Sequence, residues 1–197
     1  NFFKGGVLNL TGAFQLFNVM LCVLLLVKSG FKPENIKNIL PQLKAPKGRM
    51  EHIKNNIFID YAHTPDSLLK ALETLNTLKN KGKLIVLFGC GGERDKTKRP
   101  QMAEIASKYA DFVVVTDDNP RGESASEIRK DIIKGITNQN FIEIAKREEA
   151  IIKAIQMKKE EDILLLAGKG HETYQIIQNE KIYFNEEEII LKNLIPL

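Results

Sequence analysis

Beyond the first quarter of the chain, short, mostly apolar runs alternate with longer stretches that are apolar on one side only. The first kind falls at 57–61 (IFIDY), Leu84–Phe88 (LIVLF), 112–116 (FVVVT), 141–145 (FIEIA) and Ile163–Ala167 (ILLLA). The second kind includes Pro65–Leu78, where Leu68, Leu72, Leu75 and Leu78 share one helical face behind Thr64 as N-cap and Pro65 as first helical residue. It recurs at 99–109 with Met102, Ile105 and Tyr109, and at Arg147–Met157 with Ile151, Ile152 and Ile155. Between these two, a capping box of Ser124 and Glu127 opens a helix carrying Ile128, Ile132 and Ile136. Strands apolar on both faces, alternating with amphipathic helices, predict a doubly wound, mostly parallel, Rossmann-like α/β sheet covered on both sides. Tyr174–Ile177 and 181–184, around Asn179-Glu180, predict a C-terminal hairpin, followed by a last helix over 186–194.

The chain upstream has a different texture. Residues 7–10 (VLNL) read as a short strand, and 11–28 as a nearly all-round apolar, hence buried, helix ended by Ser29-Gly30. A second helix is predicted over 33–43. The Pro/Gly/Lys hinge KAPKG (44–48) marks a domain boundary, which assigns 1–47 and 48–197 to separate domains. The chain opens on Asn1 and runs almost at once into the apolar helix, so a longer parent protein is expected.

Composition narrows the function classes. Lys and Arg number 29 against 25 Asp and Glu, a net +4 with both signs scattered, which is too mild and too mixed for a nucleic-acid groove. The longest apolar run, 19–27, falls short of the roughly 20 residues that cross a membrane. Cys22 and Cys90 stand far apart in unrelated contexts, with no metal-ligand spacing, which points to a reducing, cytoplasmic setting. A monomer acting on small molecules is the expected class.

In a sheet of this kind, ligands bind in the crevice at the carboxyl ends of the strands. Four of the five predicted strands run out there into turn-forming, charged sequence: DYAHT (60–64), GCGGERD (89–95), DDNPR (117–121) and GKGHE (168–172). The remaining one, followed by KRE (146–148), is unremarkable. Each piece also has a plain explanation. Residues 89–92 lack the G-x-G-x-x-G spacing, because Arg94 stands where the last Gly belongs, so a tight βα turn accounts for them better than a nicotinamide site does. No G-x-x-x-x-G-K-[ST] phosphate loop occurs. Asn119-Pro120 starts a turn whatever its role, with Arg121 then a surface charge. His171 and Glu172 read equally as a solvated pair, His52 as a surface strand residue, and Lys96, Lys98 and Arg99 as a solvated basic stretch. His63 stands beside Asp60 at a strand-to-helix junction, where a helix-start hydrogen bond explains it as well as a ligand does.

Taken in order, GRME (48–51), DYAHTPD (60–66), FGCGGERDKTKRP (88–100), TDDNPR (116–121) and AGKGHETYQ (167–175) resemble the C-terminal domain of the Mur ligases. The match is to the members that add the third residue of the peptidoglycan stem peptide. Residues 1–47 resemble the tail of the family's central ATPase domain through Gly12, Phe14 and Asn18, with Gln15 where the family has Asn. The resemblance implies an acid–amino-acid ligase dependent on ATP and Mg²⁺, both held mainly by domains upstream, with this fragment inactive alone. The implied reaction activates the γ-carboxylate of UDP-MurNAc-L-Ala-D-Glu as an acyl phosphate, which the amine of meso-diaminopimelate, or of an isostere such as lanthionine, then attacks. By motif position, Arg94 and the turn Asp118, Asn119, Pro120 and Arg121 grip the carboxylates of that amino acid, while the Gly168 carbonyl and Glu172 hold its ammonium. Arg121 argues for a diamino diacid over L-lysine, which offers no distal carboxylate to a guanidinium fork. Arg49, Asp60 and His63 match positions that face ATP, with Asp60 as a ribose hydroxyl acceptor. No general base for the attacking amine is identified. Two other readings stay open: a stand-alone nucleotide- or amino-acid-binding module without ligase activity, and an NAD-dependent enzyme using 89–92.

Overall fold

A computed structural model describes residues 10–178 and 180–194. Residues 7–9 of the expected first strand and Asn179 of the hairpin turn lie outside the described residues. The chain divides into two compact units, one ending at Pro46 and one beginning at Lys47.

The first unit holds α1 (Ala13–Lys28), α2 (Pro33–Ile39) and a 3₁₀ turn over Leu40–Gln42. The single helix expected over 33–43 breaks because Pro41 has no N–H to continue the i→i−4 ladder. Gly30, at a φ of 90°, ends α1 in the left-handed region, as a C-terminal glycine should. Val23, Ile36 and Leu40 form the small core of this unit, with Val19 and Leu43 packed against it. The expectation of a fully buried α1 is not met within the chain. Phe17 is 69% exposed and Leu24 60%, because α2 and its turn supply too few side chains to cover more than one stripe.

In the second unit, the sheet order is β1-β2-β6-β3-β4-β5. The strands are β1 (Glu51–Lys54), β2 (Ile57–Asp60), β3 (Leu84–Phe88), β4 (Phe112–Val115), β5 (Phe141–Glu143) and β6 (Ile163–Ala167). All neighbouring pairs are parallel except β1 with β2. The expected doubly wound sheet is therefore present, with an antiparallel edge added by β1. Asn55 and Asn56, both in the left-handed region, make the two-residue turn that joins β1 to β2.

Because β2, β3 and β6 are buried at every position, their alternate side chains fill two cores. Ile59, Leu87 and Leu166 pack with Ile151 of α6 (Arg147–Met157) and Ile190 of α7 (Glu186–Asn193). The opposite face is covered by α3 (Pro65–Leu78), α4 (Lys98–Tyr109) and α5 (Ala125–Ile133), whose inward Leu72, Met102 and Ile132 are fully buried. Thr64 caps α3 as expected, trading hydrogen bonds with Ser67 in a capping box. The box expected at Ser124 does not form: the Glu127 carboxylate instead takes the Lys130 ammonium at 2.8 Å, and the Ser124 hydroxyl meets that of Ser126. The hairpin of β7 (Tyr174–Ile177) and β8 (Glu180–Tyr183) forms a separate two-stranded sheet.

Candidate functional site

The carboxyl ends of β2, β6, β3 and β4 stand side by side, and the turns that leave them enclose a cleft of about 470 Å³. That volume suits a small metabolite. His63 lines it from the end of β2, Arg94 from that of β3, Asp118, Asn119 and Arg121 from that of β4, and Gly168 and Glu172 from that of β6. Of the ten residues assigned to a site by resemblance, these seven come together in the lining; Arg49, Asp60 and Pro120 are not part of it.

The wall made by the β3, β4 and β6 turns is cross-braced. The Gly92 N–H donates to the Asn119 carbonyl at 2.9 Å, and the Arg121 Nη1 donates to the Gly92 carbonyl at 2.8 Å. Arg121 sits in the left-handed region with a φ of 53°, uncommon for a side chain of its size. It is held there from outside: its N–H donates to the Ile176 carbonyl and its own carbonyl accepts from the Gln178 N–H, so the β7–β8 hairpin clasps the turn. Gly168 has a φ of 116°, and a Cβ there would stand 2.9 Å from the Asp118 Oδ2, so a glycine lets the two turns approach. Arg94 stands on the exposed lip and makes no ion pair or hydrogen bond among the described residues.

Glu172 belongs to a network the sequence gives no sign of. Its Oε2 accepts from the Asn119 Nδ2 at 2.9 Å and from the Lys169 Nζ at 3.1 Å. The same ammonium donates to the Asn119 Oδ1 at 3.0 Å, and Lys169 is wholly buried.

Two expectations about charged residues are overturned here. Arg99, expected in a solvated stretch, is 1% exposed and pairs with Glu123 at 3.0 Å and Asp131 at 3.1 Å. Glu123 also accepts from the Glu93 N–H, which ties down the Arg94 loop; that bond, with the Arg99 and Lys96 cations, holds its carboxyl below the usual glutamate range. Arg147, on the expected unremarkable strand end, is fully buried. Its Nε pairs with Glu186 at 2.8 Å, while Nη2 donates to the Ala167 carbonyl and Nη1 to that of Asp117. One guanidinium thus staples the ends of β6 and β4 together. Both arginines are buried because acids distant in sequence neutralise them, a pairing that only the fold brings about.

The wall at the end of β2 is built locally. Asp60 is buried, and its Oδ2 accepts from the Met50 N–H at 2.6 Å. Burial pushes its carboxyl above the usual aspartate range, against the pull of the Met50 and Ala62 N–H groups and the Arg49 charge. The Arg49 guanidinium lies 4.9 Å over the Tyr61 ring. His63 turns its Nδ1 to the Tyr61 carbonyl at 2.8 Å, so the proton sits on Nδ1 and the neutral ring offers Nε2 as an acceptor. The Lys98 ammonium, also in the cleft lining, donates to the His63 carbonyl at 2.8 Å and links this wall to α4.

The arrangement offers cations and acids suited to a zwitterion, and little nucleophilic chemistry. Cys90 lines the cleft, but burial pushes its thiol up to about 12, so it stays protonated at neutral pH. Among the described residues no group of three or more His, Cys, Asp or Glu is arranged to hold a metal ion. None of the described helices is long and apolar enough to cross a membrane.

Comparison with known proteins identifies the family. The family model for "Mur ligase, glutamate ligase domain" matches residues 48–170. The UDP-N-acetylmuramoyl-L-alanyl-D-glutamate--2,6-diaminopimelate ligase of Rickettsia prowazekii is 52% identical over 94% of this chain and 39% of its own length. The Clostridium acetobutylicum protein of that name is 44% identical, over 93% of this chain and 39% of its own. A solved structure of a ligase so named superposes with a TM-score of 0.74 at 34% identity, covering 96% of this chain and 40% of the other. The chain therefore spans about two fifths of the length of the curated relatives it matches. Sheet order, cleft and matched residues lead to one assignment: the chain belongs to the Mur ligase family and carries its glutamate ligase domain.

Proposed function

We propose that this chain is the C-terminal, amino-acid-binding part of an ATP-dependent ligase that joins meso-diaminopimelate to UDP-MurNAc-L-Ala-D-Glu in the cytoplasm. The observation that carries the reading is the position of Arg121, whose guanidinium lines the same cleft as Arg94, Gly168 and Glu172. A diamino diacid ends in a carboxylate and an ammonium on one carbon. Arg94 and Arg121 suit the carboxylates, and Glu172 with the Gly168 carbonyl suits the ammonium. The relatives' names, which specify 2,6-diaminopimelate, support the same choice.

In this scheme, ATP supplies the phosphoryl group that turns the γ-carboxylate of D-Glu into an acyl phosphate. What this chain contributes is position. It holds the incoming amino acid by its far end, leaving the near amine to attack the acyl carbon; the tetrahedral adduct then collapses to amide and phosphate. Arg49 brings a cation, and His63 a ring acceptor, to the side assigned to the nucleotide, with Asp60 behind them. Mg²⁺, when bound, would neutralise the phosphate charge, and the resemblance places it mainly with the domains upstream.

The test is steady-state ADP release by the full-length ligase with UDP-MurNAc-L-Ala-D-Glu, comparing meso-diaminopimelate with L-lysine. Leaving a cleft guanidinium unpaired costs about 2–4 kcal/mol, so kcat/KM is expected to favour the diacid by roughly a hundredfold. A preference for lysine overturns the substrate, and ADP release with neither overturns the activity.

A further inference from the structure

We infer that Lys169 is a positioning residue for substrate recognition: its buried ammonium fixes the Glu172 carboxylate from beneath, so that one oxygen is left aimed at the substrate's distal ammonium. The inference rests on the function proposed above and adds a residue that never meets the ligand.

The geometry has three parts. Lys169 is 0% exposed and absent from the cleft lining, whereas the Glu172 side chain is 16% exposed and lines the cleft. The cation thus lies behind the acid, on the side away from any ligand. Next, the Asn119 side chain is held at both ends: its Oδ1 accepts from Lys169 at 3.0 Å and from the Ile176 N–H at 2.9 Å, and its Nδ2 donates to Glu172 at 2.9 Å. The two donors at Oδ1 fix which way the amide points. Last, both donors that reach Glu172, the Lys169 Nζ and the Asn119 Nδ2, converge on Oε2, and Oε1 has no hydrogen-bond partner among the described residues. A carboxylate pinned through one oxygen keeps its plane, and its other oxygen is presented at a set angle.

The rings of Tyr174 and Phe184, with centroids 5.8 Å and 5.9 Å from the Lys169 Nζ, complete the seat. Rings at that range attract a cation. A buried ammonium is costly unless paired, and here Glu172 and Asn119 meet that need. The same pairing serves recognition, because an acid held in place loses less freedom when a ligand arrives. A cation on the ligand side would instead compete with the substrate's own ammonium. Asn119 gains a second role accordingly: its amide joins Lys169 to Glu172 before substrate binds.

The experiment uses the full-length ligase with Lys169→Met, and Lys169→Gln as a second variant that keeps a donor for Asn119. Each is assayed with meso-diaminopimelate and with 2-aminopimelate, which keeps the attacking amine and both carboxylates but lacks the distal ammonium. KM for the diamino substrate is expected to rise at least tenfold in both variants. KM for ATP, kcat and all constants for 2-aminopimelate should stay within about threefold, since 2-aminopimelate gives Glu172 nothing to bind. Adding Glu172→Gln to either variant should cause little further loss, because the two residues act as one unit. A general loss on both substrates would mean a structural role and overturn the inference, as would a folded variant with an unchanged KM for diaminopimelate. Should the wild-type ligase fail to use diaminopimelate at all, the function reading fails first and this inference falls with it.

Discussion

Along the wall of the cleft formed after β3, β4 and β6, polar groups are held by partners far away in the chain: Asn119 by Glu172 and Lys169, Arg121 by Gly92, Arg99 by Glu123, Arg147 by Glu186. Along the wall after β2 most side-chain ties are short-range, Asp60 to Met50, His63 to Tyr61 and Thr64 to Ser67, with Lys98 on the His63 carbonyl as the long-range exception. The first wall exists only when the whole sheet is assembled. The second draws most of its side-chain ties from the β1–β2 hairpin and the start of α3, with Lys98 of α4 added. Under the proposed function, substrate discrimination falls to the wall tied across the fold, and contact with ATP to the wall tied mostly locally.

The largest effect expected from breaking that difference is on Arg147. Replacing it with Met strands the buried Glu186 carboxylate, and should cost about 3–5 kcal/mol in urea unfolding. For a domain of this size the same loss lowers the thermal midpoint by roughly 10 °C. Adding Glu186→Leu should recover most of it, because the stranded charge goes too. A neutral single variant would mean that the long-range staple does not hold the wall.

Arg94→Ala separates binding from folding on the same wall. The side chain is exposed and makes no ion pair among the described residues, so stability should be unchanged within ~0.5 kcal/mol. Affinity for diaminopimelate should fall by about 1.5–3 kcal/mol, the worth of a charged hydrogen bond, read by calorimetry or as KM.

On the local wall, Arg49→Ala should raise KM for ATP severalfold and leave KM for diaminopimelate alone. Its stacking on Tyr61 contributes about 0.5–1 kcal/mol at an exposed site.

The smallest effect is a difference in sign. Asp60 lies above the usual aspartate range when folded, because burial disfavours its charge. The folded state therefore holds that proton more tightly, and acidification from pH 7 adds stability through Asp60. Glu123 is displaced the other way, first by the Glu93 N–H and then by its cations. Its contribution is complete above the ordinary glutamate pKa and lost as pH falls through the lowered one. Stability relative to Asp60→Asn should thus rise on acidification, and stability relative to Glu123→Gln should fall. Urea titrations at pH 7 and pH 4 give both slopes; equal signs would refute the contrast.

How much of this is legible in the sequence follows from what each feature depends on. The apolar runs at β2, β3, β4 and β6 announce a buried parallel sheet, and its carboxyl edge locates the cleft. The short polar-rich strand β1 is harder to see: its sequence EHIK has no apolar run, and its pairing depends on left-handed Asn55 and Asn56. Burial of Arg99, Arg147 and Lys169 is invisible for a different reason. A lone cation reads as solvated, and each of the acids that pays for its burial lies elsewhere along the chain or across a turn. The Ser124 box fails because Lys130, one turn on, competes for Glu127. In the first unit, the all-round apolar character of α1 is real, yet Phe17 and Leu24 stay exposed among the described residues.

The central claim is that the Arg121 guanidinium pairs with an acid group at the far end of the incoming amino acid. The most direct measurement is the ratio of kcat/KM for meso-diaminopimelate to that for L-lysine, in the full-length ligase and in its Arg121→Ala variant. The account predicts that the variant loses about 2–4 kcal/mol on the diacid and little on lysine, so that the ratio falls toward one. A ratio that survives the substitution would contradict it.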